Sequence, residues 1–143
     1  MSLQKLKDRF ETANNTIVGT DQFLFDDLSG IDSEGDIDYP LTLLKVPQST
    51  ENKFGDGFEV FDVTFYVFKQ DDEFTTEEMV PIWDEIQKIQ RDLIAFIVKD
   101  RQDFIQTDKI VKYVRGHNEI GDDQTIAIKC DLQIRVHDAT FCK

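Results

Sequence analysis

Apolar and polar residues alternate along the segment TIAIKCDLQIRVH, which covers residues 125–137. Every second position is apolar: Ile126, Ile128, Cys130, Leu132, Ile134 and Val136. The positions between them are mostly polar: Thr125, Ala127, Lys129, Asp131, Gln133, Arg135 and His137. Because successive side chains of a β-strand point to opposite faces, the segment predicts a long strand with one face toward a core and one polar face.

A second segment, FEVFDVTFYVFK at residues 58–69, predicts a strand with apolar residues on both faces. One face carries Phe61, Val63, Phe65 and Val67. The opposite face carries Phe58, Val60, Tyr66 and Phe68, with Asp62 and Thr64 between them. A strand of this kind is either central and covered on both faces, or part of an interface.

Helical spacing is clearest over residues 79–96, where apolar residues step by three and four. The pattern predicts a long amphipathic helix that ends near residue 99. Thr75 and Glu78 have the spacing of a capping box at its start. Pro81 lies beyond the first turn, so we expect either a kink at this residue or a helix that begins later, near Val80.

Weaker patterns complete the element order. Helical spacing over residues 2–15 predicts a short N-terminal helix, and the segments FLF, PLTLLKVP and KIVKYVR predict strands near residues 23–25, 41–46 and 109–115. Polar stretches with glycines at residues 26–40, 48–57 and 116–124 predict loops. The order α-β-β-β-α-β-β indicates a single α+β domain over residues 1–143, in which a mostly antiparallel sheet has one long helix packed across it.

Charge narrows the choice of partners. The 143 residues include 16 Lys and Arg against 29 Asp and Glu, which gives a net charge of −13. Such a charge repels nucleic acid and anionic membranes. The first residues lack the apolar core of a signal peptide, and no stretch approaches the roughly 20 apolar residues of a membrane span. We therefore expect a protein that is made in a cytoplasm and binds neither DNA nor membrane directly.

Motifs for catalysis, cofactor binding and metal binding are missing from the sequence. The acidic run at residues 32–38 does not fit an EF-hand, because the twelfth position of the loop is Leu43 and not a bidentate Glu. A solvated acidic loop is the better interpretation. Cys130 and Cys142 form no disulfide framework, and Cys130 is expected to be a small buried apolar residue. We expect no enzyme, no cofactor and no metal site.

The segments DYPLTLLKVP, FEVFDVTFYVFKQDDEFTTEEMVPIWDEIQKI and VKYVRGHNEIGDDQTIAIKCDLQIRVHDATFCK resemble the small tail-terminator, tail-completion and neck (head–tail connector) proteins of tailed bacteriophages. The resemblance lies in element order and covers nearly the whole chain. It implies a homo-oligomeric ring, hexameric or in some neck complexes dodecameric, that joins the portal side of the head to the tail or caps the tail tube. DNA would pass through the ring without specific binding, and the chain would reside in the virion after synthesis in the bacterial host.

Two surfaces are the predicted subunit interface of such a ring: Phe58, Val60, Tyr66, Phe68, Lys129, Asp131, Gln133 and Arg135. The polar face of the last strand suits open water equally well. We favour a neighbouring subunit because mixed charge fixes register between two surfaces better than it repels DNA.

Two other functional classes remain open. An acidic protein–protein interaction module, of the inhibitor or DNA-mimic type, would present carboxylates spaced like phosphates along one exposed face, whereas the acidic residues of this chain are scattered. A small-molecule or enzymatic domain would need a pocket with convergent titratable groups.

Overall fold

A computed structural model describes residues 2–18, 23–25, 41–53, 57–70, 75–100, 102–115 and 125–137. Within these ranges the chain forms two helices and six strands: α1 (Ser2–Ile17), β1 (Phe23–Phe25), β2 (Leu41–Leu44), β3 (Gln48–Lys53), β4 (Phe58–Gln70), α2 (Thr76–Val98), β5 (Phe104–Arg115) and β6 (Thr125–His137). The predicted α+β class is confirmed, and the predicted elements follow one another in the predicted order α-β-β-β-α-β-β, with one further strand before β4. β3 is an additional strand in a polar segment predicted to be a loop, and β2 ends before the predicted strand does.

The strands form one sheet in the order β1-β2-β4-β6-β5, and β3 also pairs with β4. Every pair is antiparallel except β1 with β2. β4 and β6 span 13 residues each and pair along their whole length, from Phe58 opposite His137 to Gln70 opposite Thr125. β4 is therefore central, and β5 forms one edge of the described sheet.

The core lies between the sheet and the two helices. On the face of the sheet toward the helices, here called the helix face, the buried residues of β4 and β6 are Phe61, Val63, Phe65, Val67, Ile126, Ile128, Cys130, Leu132, Ile134 and Val136. Residues of the same cluster on the helices are Leu6, Phe10, Ala13, Met79, Ile86, Leu93, Ile94 and Ile97. The apolar face of the last strand packs under the long helix, as its alternation predicts.

The start of α2 is a capping box. The Glu78 N–H donates to Thr75 Oγ1 at 3.3 Å, and the Thr75 N–H donates to Glu78 Oε1 at 3.1 Å. The Thr75 N–H, and next the Thr75 side chain, hydrogen-bond to the Glu78 carboxyl and lower its pKa, because they stabilise its charged form. The helix begins at Thr76, so the alternative of a later start near Val80 is wrong, and Pro81 lies inside the helix.

Arg9 of α1 joins the two helices at the end of α2. Its Nη2 and Nε atoms donate to the carbonyl oxygens of Phe96 at 2.6 Å and Ile97 at 3.4 Å. The guanidinium also lies 4.5 Å from the centre of the Phe96 ring. α2 has no basic residue in its last turn, so α1 supplies the cation that the carbonyl end of a helix favours.

Several predicted features lie outside the described residues: the acidic loop at residues 26–40, the loop at residues 116–124 and Cys142. In the part of the chain that the structure describes, neither helix is long and apolar enough to cross a membrane.

Ile86 tests the packing of α2 on the sheet. Its side chain is fully buried, so Ile86→Asp places an unpaired charge in the core, at a cost of about 3–5 kcal/mol. We expect the free energy of unfolding in urea to fall by this amount, which is a large fraction of the roughly 5–15 kcal/mol of a typical domain. Ala95→Asp, at an exposed position of the same helix, is the control and should cost less than about 1 kcal/mol. Equal stability of the two variants would show that the core face of α2 is assigned wrongly.

Candidate functional site

The far face of the sheet, opposite α1 and α2, carries every residue of the predicted subunit interface. On β4 these are Phe58, Val60, Tyr66 and Phe68, and on β6 they are Lys129, Asp131, Gln133 and Arg135. The two strands are adjacent, and their register places Val60 opposite Arg135 and Tyr66 opposite Lys129. Two segments far apart in the sequence thus contribute to one surface.

One half of the far face is buried. Tyr66 and Phe68 have relative exposures of 2% and 1%, and their rings stack with centroids 5.3 Å apart. Leu41 and Leu43 of β2 and Ala127 of β6 are buried beside them. These residues form a second apolar cluster, separate from the core under the helices. Tyr66 and Phe68 therefore present no surface to a partner, which corrects their predicted place in the interface.

The other half of the far face is accessible and includes Phe58, Val60 and Arg135. Phe58 and Val60 are half-buried, and Arg135 is exposed. The Arg135 guanidinium lies 4.3 Å from the centre of the Phe58 ring, a diagonal contact between neighbouring strands. This distance is that of a cation–π interaction, which holds the guanidinium over the Phe58 ring.

Two hydrogen bonds between β4 and β6 order the polar centre of this half. Thr64 Oγ1 donates to Asp131 Oδ1 at 2.5 Å, and Gln133 Nε2 donates to Asp62 Oδ1 at 3.0 Å. Each pair consists of residues directly opposite one another. A carboxylate can accept about four hydrogen bonds, so both aspartates keep capacity for a partner while their orientation is already set.

A shallow groove of about 380 Å³ crosses β4, β6 and β5 at this point, with Asp62, Thr64, Asp131 and Gln133 in its lining and Ile110 at its side. Ile110 is 61% exposed. Protein–protein contacts also combine hydrogen-bonding groups with apolar side chains. Among the described residues, no three His, Cys, Asp or Glu side chains are close enough to hold a metal ion.

Sequence patterns missed two residues, for different reasons. Ile110 lies in the predicted strand KIVKYVR, but only the pairing of β5 with β6 places it next to Asp131 on the far face. Gln90 is fully buried on the helix face. The spacing of four and three residues from Ile86 through Gln90 to Leu93 is a signal that could have identified it as part of the buried stripe.

Gln90 and Cys130 form a polar contact inside the core. Gln90 Nε2 donates to Cys130 Sγ at 3.6 Å, while Gln90 Oε1 has no hydrogen-bond partner in the described part of the chain. Burial raises the pKa of the Cys130 thiol to about 12, although the charge of Lys109 acts in the opposite direction. Cys130 is thus a buried thiol, as its position on the apolar face predicts, and it is not a nucleophile at neutral pH.

The raised pKa of Cys130 makes stability depend on pH. The unfolded chain releases the thiol proton near the ordinary value of 9.0, and the folded chain holds it until about 12. The stabilisation that comes from the protonated Cys130 thiol is therefore complete below pH 9.0 and is lost as the pH rises toward about 12. The test compares two proteins that both carry Cys142→Ser, one with Cys130 and one with Cys130→Ala. We expect the difference between their free energies of unfolding in urea to become smaller as the pH rises from 9.0 to about 12.

Thiol labelling gives an independent check in the same Cys142→Ser background. We expect a disulfide-exchange reagent to modify Cys130 only as fast as the protein unfolds. Modification of the folded protein at the rate of a free cysteine would contradict the burial of this residue.

Comparisons of the chain with protein-family models and with curated proteins find no match.

Proposed function

We propose that this chain is a structural protein of a tailed-bacteriophage virion that forms a homo-oligomeric ring at the head–tail connector or the tail end. The observation that carries the proposal is the accessible half of the far face, where Phe58, Val60 and Ile110 adjoin ordered polar side chains. A ring closed by head-to-tail contacts needs two different, complementary surfaces on each subunit, and this half of the far face would be one of them.

The construction of this surface favours a contact with another protein. Thr64 and Gln133 hold the two aspartates of the groove, and Phe58 holds Arg135, before any partner is present. Side chains that are already ordered lose less conformational entropy when an interface forms. They also lie on long paired strands, which are more rigid than loops.

Charge supports a channel for DNA without a DNA-binding site. With a net charge of −13, the protein offers little to the phosphate backbone, which depends on clustered Lys and Arg for affinity. The far face carries the exposed cations Lys112 and Arg135, and the second of them lies against Phe58. DNA would therefore pass through the ring without sticking. The resemblance to connector proteins favours a hexamer, with a dodecamer as the other possibility, next to connector, tail-tube or portal-side proteins in the virion.

The alternative of an acidic inhibitor or DNA mimic finds less support. Such a protein needs a row of carboxylates along one exposed face, but the far face carries Lys129 and Arg135 among its aspartates. On α2, Glu85 Oε2 lies 2.8 Å from Lys69 Nζ.

Light scattering and particle imaging test the ring. We expect a closed particle with a central opening and six or twelve copies, formed by the purified chain alone or after mixing with neighbouring connector or tail proteins. Mass spectrometry of tailed particles should also detect the chain. A chain that is monomeric in all these mixtures and absent from tailed particles would overturn the proposal.

Charge reversal tests the proposed interface. Asp131→Arg combined with Arg135→Asp should weaken ring formation, because each charge then meets the wrong partner across the contact. The monomer should lose about 2–4 kcal/mol, from one hydrogen bond to a carboxylate and one exposed cation–π contact. Thr64→Val is the matched control, since it removes the same hydrogen bond without changing charge and should leave the ring intact. Normal assembly of the double variant, with unchanged salt sensitivity, would place this face in solvent or in the lumen.

A further inference from the structure

A second surface lies at the edge of the sheet, where the side of α2 meets β5. Tyr113 Oη donates to Gln87 Oε1 at 3.1 Å, and the rings of Tyr113 and Trp83 lie 5.6 Å apart. Helix and strand are therefore joined into one continuous surface. We call this surface the α2–β5 flank. On α2 it consists of residues spaced by three and four positions: Glu77, Val80, Asp84, Gln87 and Arg91. On β5 it consists of Lys109 and Tyr113.

The flank has an acidic end and a basic end. Tyr113 of β5 contacts Gln87 of α2. Three residues later in α2, Gln90 contacts Cys130, and Cys130 pairs with Val111, which is two residues earlier in β5 than Tyr113. α2 and β5 thus run in opposite directions, and Lys109 lies toward the C-terminal end of α2. Glu77 and Asp84 are exposed at one end of the flank, and Arg91 and Lys109 are exposed at the other.

Apolar side chains are exposed within the same flank. Val80 is 51% exposed and Tyr113 is 53% exposed. Large apolar side chains that remain accessible next to charges of both signs are typical of a surface that another protein covers.

We propose that the α2–β5 flank is a two-fold contact between two copies of this chain. Rotation about an axis near Gln87 lays the two α2 helices antiparallel, and Asp84 of each copy then faces Arg91 of the other. A two-fold contact needs a self-complementary patch, which a flank with opposite charges at its two ends provides. A basic partner would match only one end of the flank and an acidic partner only the other, whereas a second copy matches both.

The size of the flank sets the strength expected of the contact. The 23 residues of α2 extend over about 35 Å, and one helix and one strand are together about 15 Å wide. The buried area is then about 500 Å² per copy, or about 1,000 Å² in total, which is the lower limit for a specific interface. We therefore expect association that depends on concentration.

This contact is independent of the proposed ring, because it uses none of the far-face residues. If both contacts form, it joins two rings through their flanks. If the ring does not form, it gives a dimer. The far-face double variant should retain the flank contact, and flank variants should retain the ring.

Sedimentation velocity over a wide range of concentrations tests the flank with two single reversals of the full chain, Asp84→Arg and Arg91→Asp. Each variant alone brings like charges together at both ends of the contact, so each should lose the two-fold association. A mixture of the two variants restores opposite charges at both ends and should associate at least as well as the parent protein. Both variants change exposed positions, so circular dichroism should show unchanged folding.

Three results would overturn the proposal: a parent protein without two-fold association at any concentration, single variants that associate normally, or a mixture that does not associate. Glu11→Lys is the control, since it reverses an exposed charge on α1, outside the flank, and should leave the two-fold association intact. High salt should weaken the parent contact, as screening predicts.

Discussion

The antiparallel ladder between β4 and β6 is the interaction on which the rest of the structure depends. Each strand has 13 residues, and their pairing is unbroken from end to end. A shift of one residue would exchange the two faces of a strand. This register places Phe65 and Cys130 under the helices and Thr64 and Asp131 on the opposite side. It thereby determines both the core and the polar surface.

The helices depend on this ladder and on each other. α2 crosses the helix face and is closed at its start by its own capping box, but its last turn contains no basic residue. Arg9 of α1 binds the carbonyls at that end. Lys5 of the same helix donates to the His137 carbonyl at 2.7 Å, at the end of β6. The N-terminal helix thus ties the end of α2 to the end of the last strand, and its polar residues contribute to the fold as much as its apolar stripe does.

The helices cover one face of the sheet, and the far face has a buried half and an accessible half. Tyr66 and Phe68 belong to a buried apolar cluster, while Phe58 and Val60, on the same side of the same strand, remain partly accessible. The apolar residues on both sides of β4 therefore have two explanations, each valid for one half of the strand. Burial accounts for one half and the proposed subunit contact for the other. The α2–β5 flank lies apart from both, so two kinds of assembly contact can act without competing.

Much of the fold follows from local sequence. Strict alternation in β6, helical spacing in α2 and the capping pair Thr75 and Glu78 each predict an element correctly, because they reflect interactions within a few residues. β3 was missed, since a polar strand such as QSTENK forms through pairing with β4 and not through any apolar pattern of its own. Pro81 suggested a later helix start, but the cap at Thr75 and the buried Met79 hold the first turns of the helix in place.

The division of the far face and the bipolar flank could not be predicted in this way. Period-two alternation shows which side of a strand a residue occupies, but not what lies over it, so Phe58 and Phe68 have the same signature in the sequence. Likewise, Arg91 and Lys109 share one end of a surface only because α2 runs antiparallel to β5. Local patterns record the geometry of one segment, whereas burial and charge complementarity depend on distances between segments, and these exist only once the chain has folded.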